Sequence, residues 1–200
     1  MAKLKRRGVR INDSHFVNIF SKLIISCFAI LCLSLPTAAL SKTNLIVHNE
    51  KATFIAPYQS WIDNPYDANI PLPDETIDLY LTKCPGFQAA GCTVPRGFWD
   101  KPNPTIWISD EYHNEQNLSN NKIIFYHELG HVFDYTHLDD TERREIIRMM
   151  GFPEDMTWYG DQRGRPNELF AAGAAICWYG PDAPWAAYGY SFNYRETQPL

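Results

Sequence analysis

The sequence predicts an α+β domain, in which a small N-terminal sheet is followed by helices in the C-terminal half. Short runs rich in β-branched and aromatic residues occupy the first half of the chain, and such runs are typical of strands. Longer apolar runs bordered by capping residues, glycine and proline occupy the second half, and these are typical of helices. Strands first and helices second is the order of an α+β fold.

The composition is that of a folded globular protein. The 200 residues are 45% hydrophobic, 14% aromatic and 20% charged. The chain can therefore bury a core, which excludes a disordered or low-complexity protein. No internal repeat is visible, and no Gly/Ser linker divides residues 40–200. We therefore expect these residues to form one domain.

Four segments of the first half are strand candidates. Residues 43–47 and 52–56 are short β-rich runs within an extended region, 41–75, that also holds many turn formers. Residues 76–81 alternate apolar and polar side chains, as a half-buried strand does. Residues 105–109 are β-branched and aromatic and end at an acidic pair.

Three helices are predicted in the second half. The first is a long apolar run from Lys122 onward, preceded by the polar, capping-rich stretch 117–121. The second spans 142–150 and can be capped by residues 139–141. The third begins at Pro166 or Asn167 and runs to Cys177, because proline and acidic residues suit a helix N-terminus.

Residues 1–39 differ from the rest and predict a secretory signal peptide. They carry six cations and one anion, an apolar run of 13 residues at 23–35, and then Pro36-Thr37-Ala38-Ala39. A membrane-spanning helix needs about 20 apolar residues, so cleavage after Ala39 is the better interpretation. We expect a secreted or extracytoplasmic protein that does not contact the membrane after cleavage. An uncleaved N-terminal anchor is the alternative.

The charge and the cysteines are consistent with export. Of the 18 basic and 23 acidic residues, six and one lie within 1–39, so residues 40–200 carry a formal net charge of −10. A chain this acidic repels polyanions, which argues against nucleic acid as a partner. Cys84, Cys92 and Cys177 remain, and in an oxidising compartment two of the three should pair. Sequence does not decide which two.

His127-Glu128-Leu129-Gly130-His131 matches the pattern H-E-x-x-H inside a predicted helix. Two histidines at this spacing lie one turn apart on the same helix face, so both imidazoles can bind one Zn²⁺. Glu128 points about 100° away from His127, where it can accept a hydrogen bond from a water on the metal. The motif predicts a zinc site with Glu128 as general base. A structural pair of helix histidines is the alternative.

A catalytic zinc site also needs a third protein ligand, and two residues compete for this role. His137 follows the two motif histidines at the spacing H-E-x-x-H-x-x-G-x-x-H of the metzincins, with Asp134 where that pattern has glycine. Glu168 lies in the first turn of an otherwise apolar helix, whose small residues would let it approach the first helix closely. The alternatives are a surface histidine near a helix end and a glutamate favoured by the helix dipole.

The stretch 127–134, together with Asn167-Glu168-Leu169-Phe170-Ala171, resembles the gluzincin group of zinc metallopeptidases. The resemblance is closest to the small lethal-factor-type zincin domains and covers about residues 76–178. It implies a zincin-like fold, peptide hydrolysis, and Glu168 as the third metal ligand. Thermolysin-like gluzincins have an aspartate four residues after that glutamate, whereas Ala172 stands here.

Supporting roles near the site are also expected. The resemblance points to a tyrosine before the ligand glutamate that stabilises the oxyanion, and Tyr159 is the nearest match. Asp134 could accept the second ring N–H of a ligand histidine. Residues 105–109 could form an edge strand that pairs with an extended substrate, so that Ile106, Trp107 and Ile108 line the cleft; an ordinary sheet strand is the alternative. The rival tyrosines are Tyr126, Tyr179, Tyr188, Tyr190 and Tyr194.

The sequence as a whole predicts a secreted, monomeric zinc metalloendopeptidase that acts on a peptide or protein substrate. His127, His131 and Glu168 would bind one Zn²⁺ per chain, and Glu128 would take a proton from a zinc-activated water. The alternatives are a metzincin-like site with His137 as third ligand, or a catalytically inactive zincin-fold binding protein.

Overall fold

A four-stranded mixed sheet forms one layer of the protein, in a computed structural model that describes residues 42–49, 55–86, 88–109, 115–159 and 165–184. Strands β1, β2 and β4 run parallel to one another, and β3 is antiparallel to β4. The order across the sheet is β1-β2-β4-β3, so β3 is an edge strand among the described residues. The strands span Asn44–His48 (β1), Thr76–Tyr80 (β2), Gly91–Val94 (β3) and Thr105–Ile108 (β4).

Helices cover one face of this sheet. The long helix α2 packs against β3, β4 and α4, and its Phe125 and Leu129 share a buried cluster with Ile77 and Ile106 of the sheet. Successive side chains of a strand point to opposite faces, so Trp107 of β4 lies in a separate small cluster on the far side. The helices are Tyr58–Asp63 (α1), Leu118–His137 (α2), Asp140–Met149 (α3) and Pro166–Tyr179 (α4).

The ends of α3 and α4 follow from local sequence. The Asp139 carboxylate accepts hydrogen bonds from the backbone of Thr141 and Glu142, while the Glu142 side chain accepts from the backbone of Asp139, which completes a capping box. Pro166 occupies the first position of α4, where its missing N–H costs nothing. Helix α4 therefore starts at the predicted proline, and α3 starts at Asp140, two residues before the predicted start at 142.

A glycine allows α2 and α4 to approach closely. A Cβ on Gly130 would lie 2.8 Å from the Cα of Ala171, so that no larger residue fits between the two backbones. Gly130 stands directly before His131, and Ala171 lies one turn after Glu168. The small residues at this contact thus bring the first turn of α4 near the histidines of α2.

Most predicted elements are confirmed, and two were not foreseen. The strands at 43–47, 76–81 and 105–109 are present within one or two residues. The candidate strand 52–56 lies mostly outside the described residues, and Ile55 and Ala56 are not in a strand. The sequence interpretation missed β3 and α1. Since β4 lies between β2 and β3, the structure favours the second of the two alternatives for 105–109, an ordinary sheet strand rather than an edge strand.

The cysteine pairing is decided by the fold. Cys84 and Cys92 form a disulfide, with their Cα atoms 6.0 Å apart, which ties the loop after β2 to the edge strand β3. Cys177 lies on α4 and takes no part in it. Within the described ranges, no helix is long and apolar enough to span a membrane. The predicted signal peptide, 1–39, lies outside the described residues.

Candidate metal centre

Two histidines of α2 form one side of the candidate centre. His127 and His131 lie one turn apart, with ring centroids 4.9 Å apart and planes at 85°. Only 14% of the His127 side chain and 8% of the His131 side chain are exposed. The helix thus holds both rings on the same face, as the H-E-x-x-H spacing predicts.

Glu168 of α4 completes the group across the helix interface. Its Oε2 lies 3.2 Å from Nε2 of His127 and 3.6 Å from Nε2 of His131. Its other oxygen, Oε1, accepts a hydrogen bond of 3.3 Å from the Asn167 side chain. One carboxylate oxygen therefore faces both imidazoles, although Glu168 lies 41 positions beyond His127 in the chain.

The dimensions of this group fit a small divalent ion. Ligand atoms of His127, His131 and Glu168 all lie within 4.8 Å of one another. In a tetrahedral site with metal–ligand distances near 2.0 Å, neighbouring ligand atoms are separated by about 3.3 Å. The two N–O distances match this separation, and two nitrogens with one carboxylate oxygen form a donor set that Zn²⁺ uses.

The charges of the three residues are coupled. Burial alone would raise the pKa of the Glu168 carboxyl, but the adjacent His127 and His131 outweigh burial and hold this pKa below its ordinary value. Burial alone would lower the pKa of His131, but Glu168, Glu128 and Asp134 outweigh it and raise this pKa. The pocket therefore favours an anionic carboxylate facing positive charge, which a metal cation would also supply.

Glu128 lies beside the group and contacts the edge strand. Its Oε2 accepts a hydrogen bond of 2.8 Å from the Thr93 hydroxyl, and its Oε1 lies against Gly91. Only 6% of Glu128 is exposed. The general-base candidate is therefore held against the edge strand β3.

All of these residues line one cavity of about 370 Å³ between β3, α2 and the start of α4. One part of its wall is polar. It carries the candidate metal-binding group, meaning His127, His131 and Glu168, and beside it Glu128, Tyr135 and Asn167. Another part is formed by small or aliphatic side chains: Ala89, Ala90, Ile123, Ile124, Ala172 and Ala175. A cleft of this size, with a polar centre and apolar walls, is typical of a site for a small ligand or a short peptide segment.

Tyr135 and β3 are cavity residues that the sequence interpretation missed. Tyr135 follows His131 by one helical turn, and its ring stacks on that imidazole at 6.4 Å. The continued four-residue spacing after the motif could have identified it. Burial, together with nearby carboxylates, raises the pKa of Tyr135 to about 12. The strand β3 had no such signal, because four residues that include glycine and cysteine show no clear strand pattern.

His137 does not join the group. It is exposed at the last position of α2, its ring stacks on Phe133 at 4.6 Å, and its Nδ1 pairs with the Thr136 hydroxyl at 2.6 Å. It is neither among the grouped metal-binding residues nor in the cavity wall. The helix continues through the position where a metzincin-like chain would turn, and this carries His137 away from His131.

Asp134 has a different role from the one expected. Its buried carboxylate accepts hydrogen bonds of 2.8 Å from Arg143 Nε, 2.8 Å from Trp158 Nε1 and 3.0 Å from the Tyr159 hydroxyl. Nδ1 of His131 has no hydrogen-bond partner among the described residues. Asp134 therefore does not orient His131, and it is not the exposed helix-end residue of the alternative interpretation either, because it is fully buried. Asp134 instead joins α2 to α3 and to the segment before α4.

Tyr159 takes part in this Asp134 network. Its hydroxyl donates to Asp134, its ring stacks on Tyr135 at 6.0 Å, and 44% of the residue is exposed. Burial and the Asp134 charge raise its pKa. Tyr159 is not among the residues that line the cavity, so the expected oxyanion donor lies behind Tyr135 rather than at the metal-binding group.

Asp134→Ala should destabilise the protein strongly. The change removes the buried carboxylate that accepts from Arg143 Nε and from the Trp158 N–H, and breaking such a buried ion pair costs about 3–5 kcal/mol in the free energy of unfolding. Urea denaturation measures this loss. Asp140→Asn is the matched control, because exposed Asp140 also pairs with Arg143 at 3.2 Å and should cost less than about 0.5 kcal/mol. Equal losses for the two variants would contradict the role assigned to Asp134.

No family model, curated protein or solved structure matches this chain.

Proposed function

We propose that this protein is a zinc-dependent metallopeptidase with a zincin-like fold, in which His127, His131 and Glu168 bind one Zn²⁺. The observation that carries the proposal is the convergence of these three side chains within 4.8 Å, on two different helices and in the wall of a cavity. Glu128 is in the same wall and supplies the base that a hydrolytic site requires. The resemblance of motifs 127–134 and 167–171 to lethal-factor-type zincins also supports the proposal of a zinc metallopeptidase.

Bound zinc would lower the pKa of water and polarise the carbonyl of the scissile peptide bond. Glu128 then accepts the proton of the attacking water and delivers it to the leaving amine nitrogen. Its carboxylate is already oriented by Thr93. We propose Tyr135, rather than Tyr159, as a donor to the carbonyl oxygen, because Tyr135 lines the cavity and Tyr159 does not.

The substrate class we propose is a neutral or basic peptide in an extracytoplasmic compartment. The acidic chain favours such partners over polyanions. The disulfide between Cys84 and Cys92 is typical of an oxidising compartment and supports export. A monomer is sufficient for this function, because every residue invoked at the site comes from one chain.

Cleavage of fluorescein-labelled casein by the purified, zinc-loaded protein tests the proposal. We expect about one zinc per chain by elemental analysis, casein hydrolysis that a chelator abolishes, and recovery when zinc is restored. One bound zinc without cleavage of casein or of a broad peptide library would instead indicate a zincin-fold binding protein. No bound zinc would mean that the histidine pair is a packing feature, and the proposal would fail.

A further inference from the structure

The carboxylate of Glu128 is held by the edge strand β3. The Thr93 hydroxyl donates to its Oε2 at 2.8 Å, and Glu128 is 6% exposed. Because little water reaches the side chain, this hydrogen bond determines the orientation of the carboxyl plane more strongly than an exposed one would.

Gly91 provides the space that this orientation requires. A Cβ at position 91 would lie 2.7 Å from Oε1 and 2.8 Å from Cγ of Glu128, closer than non-bonded atoms approach. Gly91 is not among the residues with positive φ, so the backbone does not require glycine there. Close approach of the Glu128 side chain, and of Ile124 Cγ2 at 2.9 Å from the same Cβ, is the physical reason for a glycine at this position.

The two residues act from the same face of one strand. Residues two apart in a strand share a face, so Gly91 and Thr93 both face α2. Cys92 lies between them on the other face and is tied to Cys84 by the disulfide. One face of the strand thus offers the space at Gly91 and the hydroxyl of Thr93, while the disulfide holds the strand from its other face.

We propose that Gly91 and Thr93 are positioning residues that hold the Glu128 carboxylate at the metal-binding group in the orientation needed for proton transfer. This inference rests on the proposed function. Gly91 admits the carboxylate to the strand surface, where Oε1 lies against the glycine, and Thr93 donates to Oε2.

The Thr93 hydroxyl lies near a second acceptor besides Oε2 of Glu128. Its Oγ1 also lies 3.1 Å from the backbone carbonyl oxygen of Glu128. One hydroxyl hydrogen can go to only one acceptor at a time. When Glu128 carries the transferred proton on Oε1, Oε2 can still accept from the Thr93 hydroxyl. The side chain then keeps its place.

Kinetics with labelled casein test the catalytic consequence. We expect Thr93→Val to lower kcat by about 10- to 100-fold, the usual effect of removing such a supporting partner, with KM and zinc content unchanged. Thr93→Ser should restore most of the activity because it keeps the hydroxyl. Thr105→Val is the matched control. Thr105 is a buried residue of the neighbouring strand β4, and its hydroxyl donates to the Asn103 carbonyl oxygen at 3.1 Å. The kcat of this variant should match that of wild type.

Urea unfolding of the metal-free protein tests the same contact without activity. Thr93→Val should raise the unfolding equilibrium constant by a factor about tenfold larger in wild type than in the Glu128→Ala background. This difference corresponds to the loss of one hydrogen bond. In a Gly91→Ala background the carboxylate is displaced, so Thr93→Val should again have little further effect.

The outcomes separate this inference from the proposed function. Independent, multiplicative effects of Thr93→Val and Glu128→Ala on unfolding, or Thr93→Val activity equal to wild type, would overturn the inference while leaving a zinc peptidase in place. Coupled unfolding effects in a wild type that binds zinc but cleaves neither casein nor a broad peptide library would support the contact. That result would overturn the proposed peptidase function and, with it, the catalytic purpose of the contact.

Discussion

Glu128→Gln should bind zinc as wild type does and lose casein hydrolysis by about 100- to 10,000-fold, the range attributed to general acid–base catalysis. Glutamine is nearly the same size as glutamate and still offers an oxygen to the Thr93 hydroxyl, which lies 2.8 Å from the carboxylate in the native protein. It cannot take up a proton from the attacking water. The two measurements are zinc content and the initial rate with labelled casein.

Glu145→Gln is the control for this change. Glu145 is an exposed residue of α3 that pairs with Arg148 at 3.2 Å. It does not line the cavity, so the variant should retain full activity. Comparable activity of Glu128→Gln and Glu145→Gln would exclude Glu128 as the base. Loss of zinc together with activity in Glu128→Gln would instead mean that Glu128 is needed to hold the metal.

Glu168→Ala should lower zinc affinity by more than about 100-fold, beyond the range seen when only a partner of a ligand is removed. The carboxylate faces both histidines, at 3.2 and 3.6 Å, and alanine leaves a site with only two protein ligands. Zinc content after dialysis, and competition with a fluorescent zinc chelator, measure the effect. Casein hydrolysis should disappear with the metal.

His137→Ala decides between the two third-ligand hypotheses. His137 stacks on Phe133 and lies outside the metal-binding group, so this variant should keep one zinc per chain. A Glu168→Ala protein that retains its metal, combined with a His137→Ala protein that loses it, would restore the metzincin-like alternative and reject the site described above.

Local features of this protein were predictable from sequence because they depend on residues close together in the chain. The histidine pair occupies one turn of α2, so its shared face follows from helix geometry alone. The capping box of α3 and the proline at the start of α4 are likewise local. The α+β class follows from the order of strand-like and helix-like segments, and the structure confirms it.

Features that join distant segments required the tertiary structure. His137 and Glu168 were both compatible with the motif, and the close approach of α2 and α4 at Gly130 brings Glu168 to the histidines. Asp134 is seven positions after His127 on the same helix, which suggested a role at the metal. Packing of α3 and of the segment around Trp158 instead supplied three donors to its carboxylate.

The edge strand shows the limit of sequence most clearly. Four residues with one apolar β-branched side chain carry too little pattern to be assigned as a strand, and they form one because β4 offers a partner edge and the disulfide holds them there. Sequence alone therefore determined the chemistry available on α2, since that depends on spacing within one helix. Which carboxylate meets the histidines, and what holds Glu128, were decided by contacts between segments far apart in the chain, because only packing sets those distances.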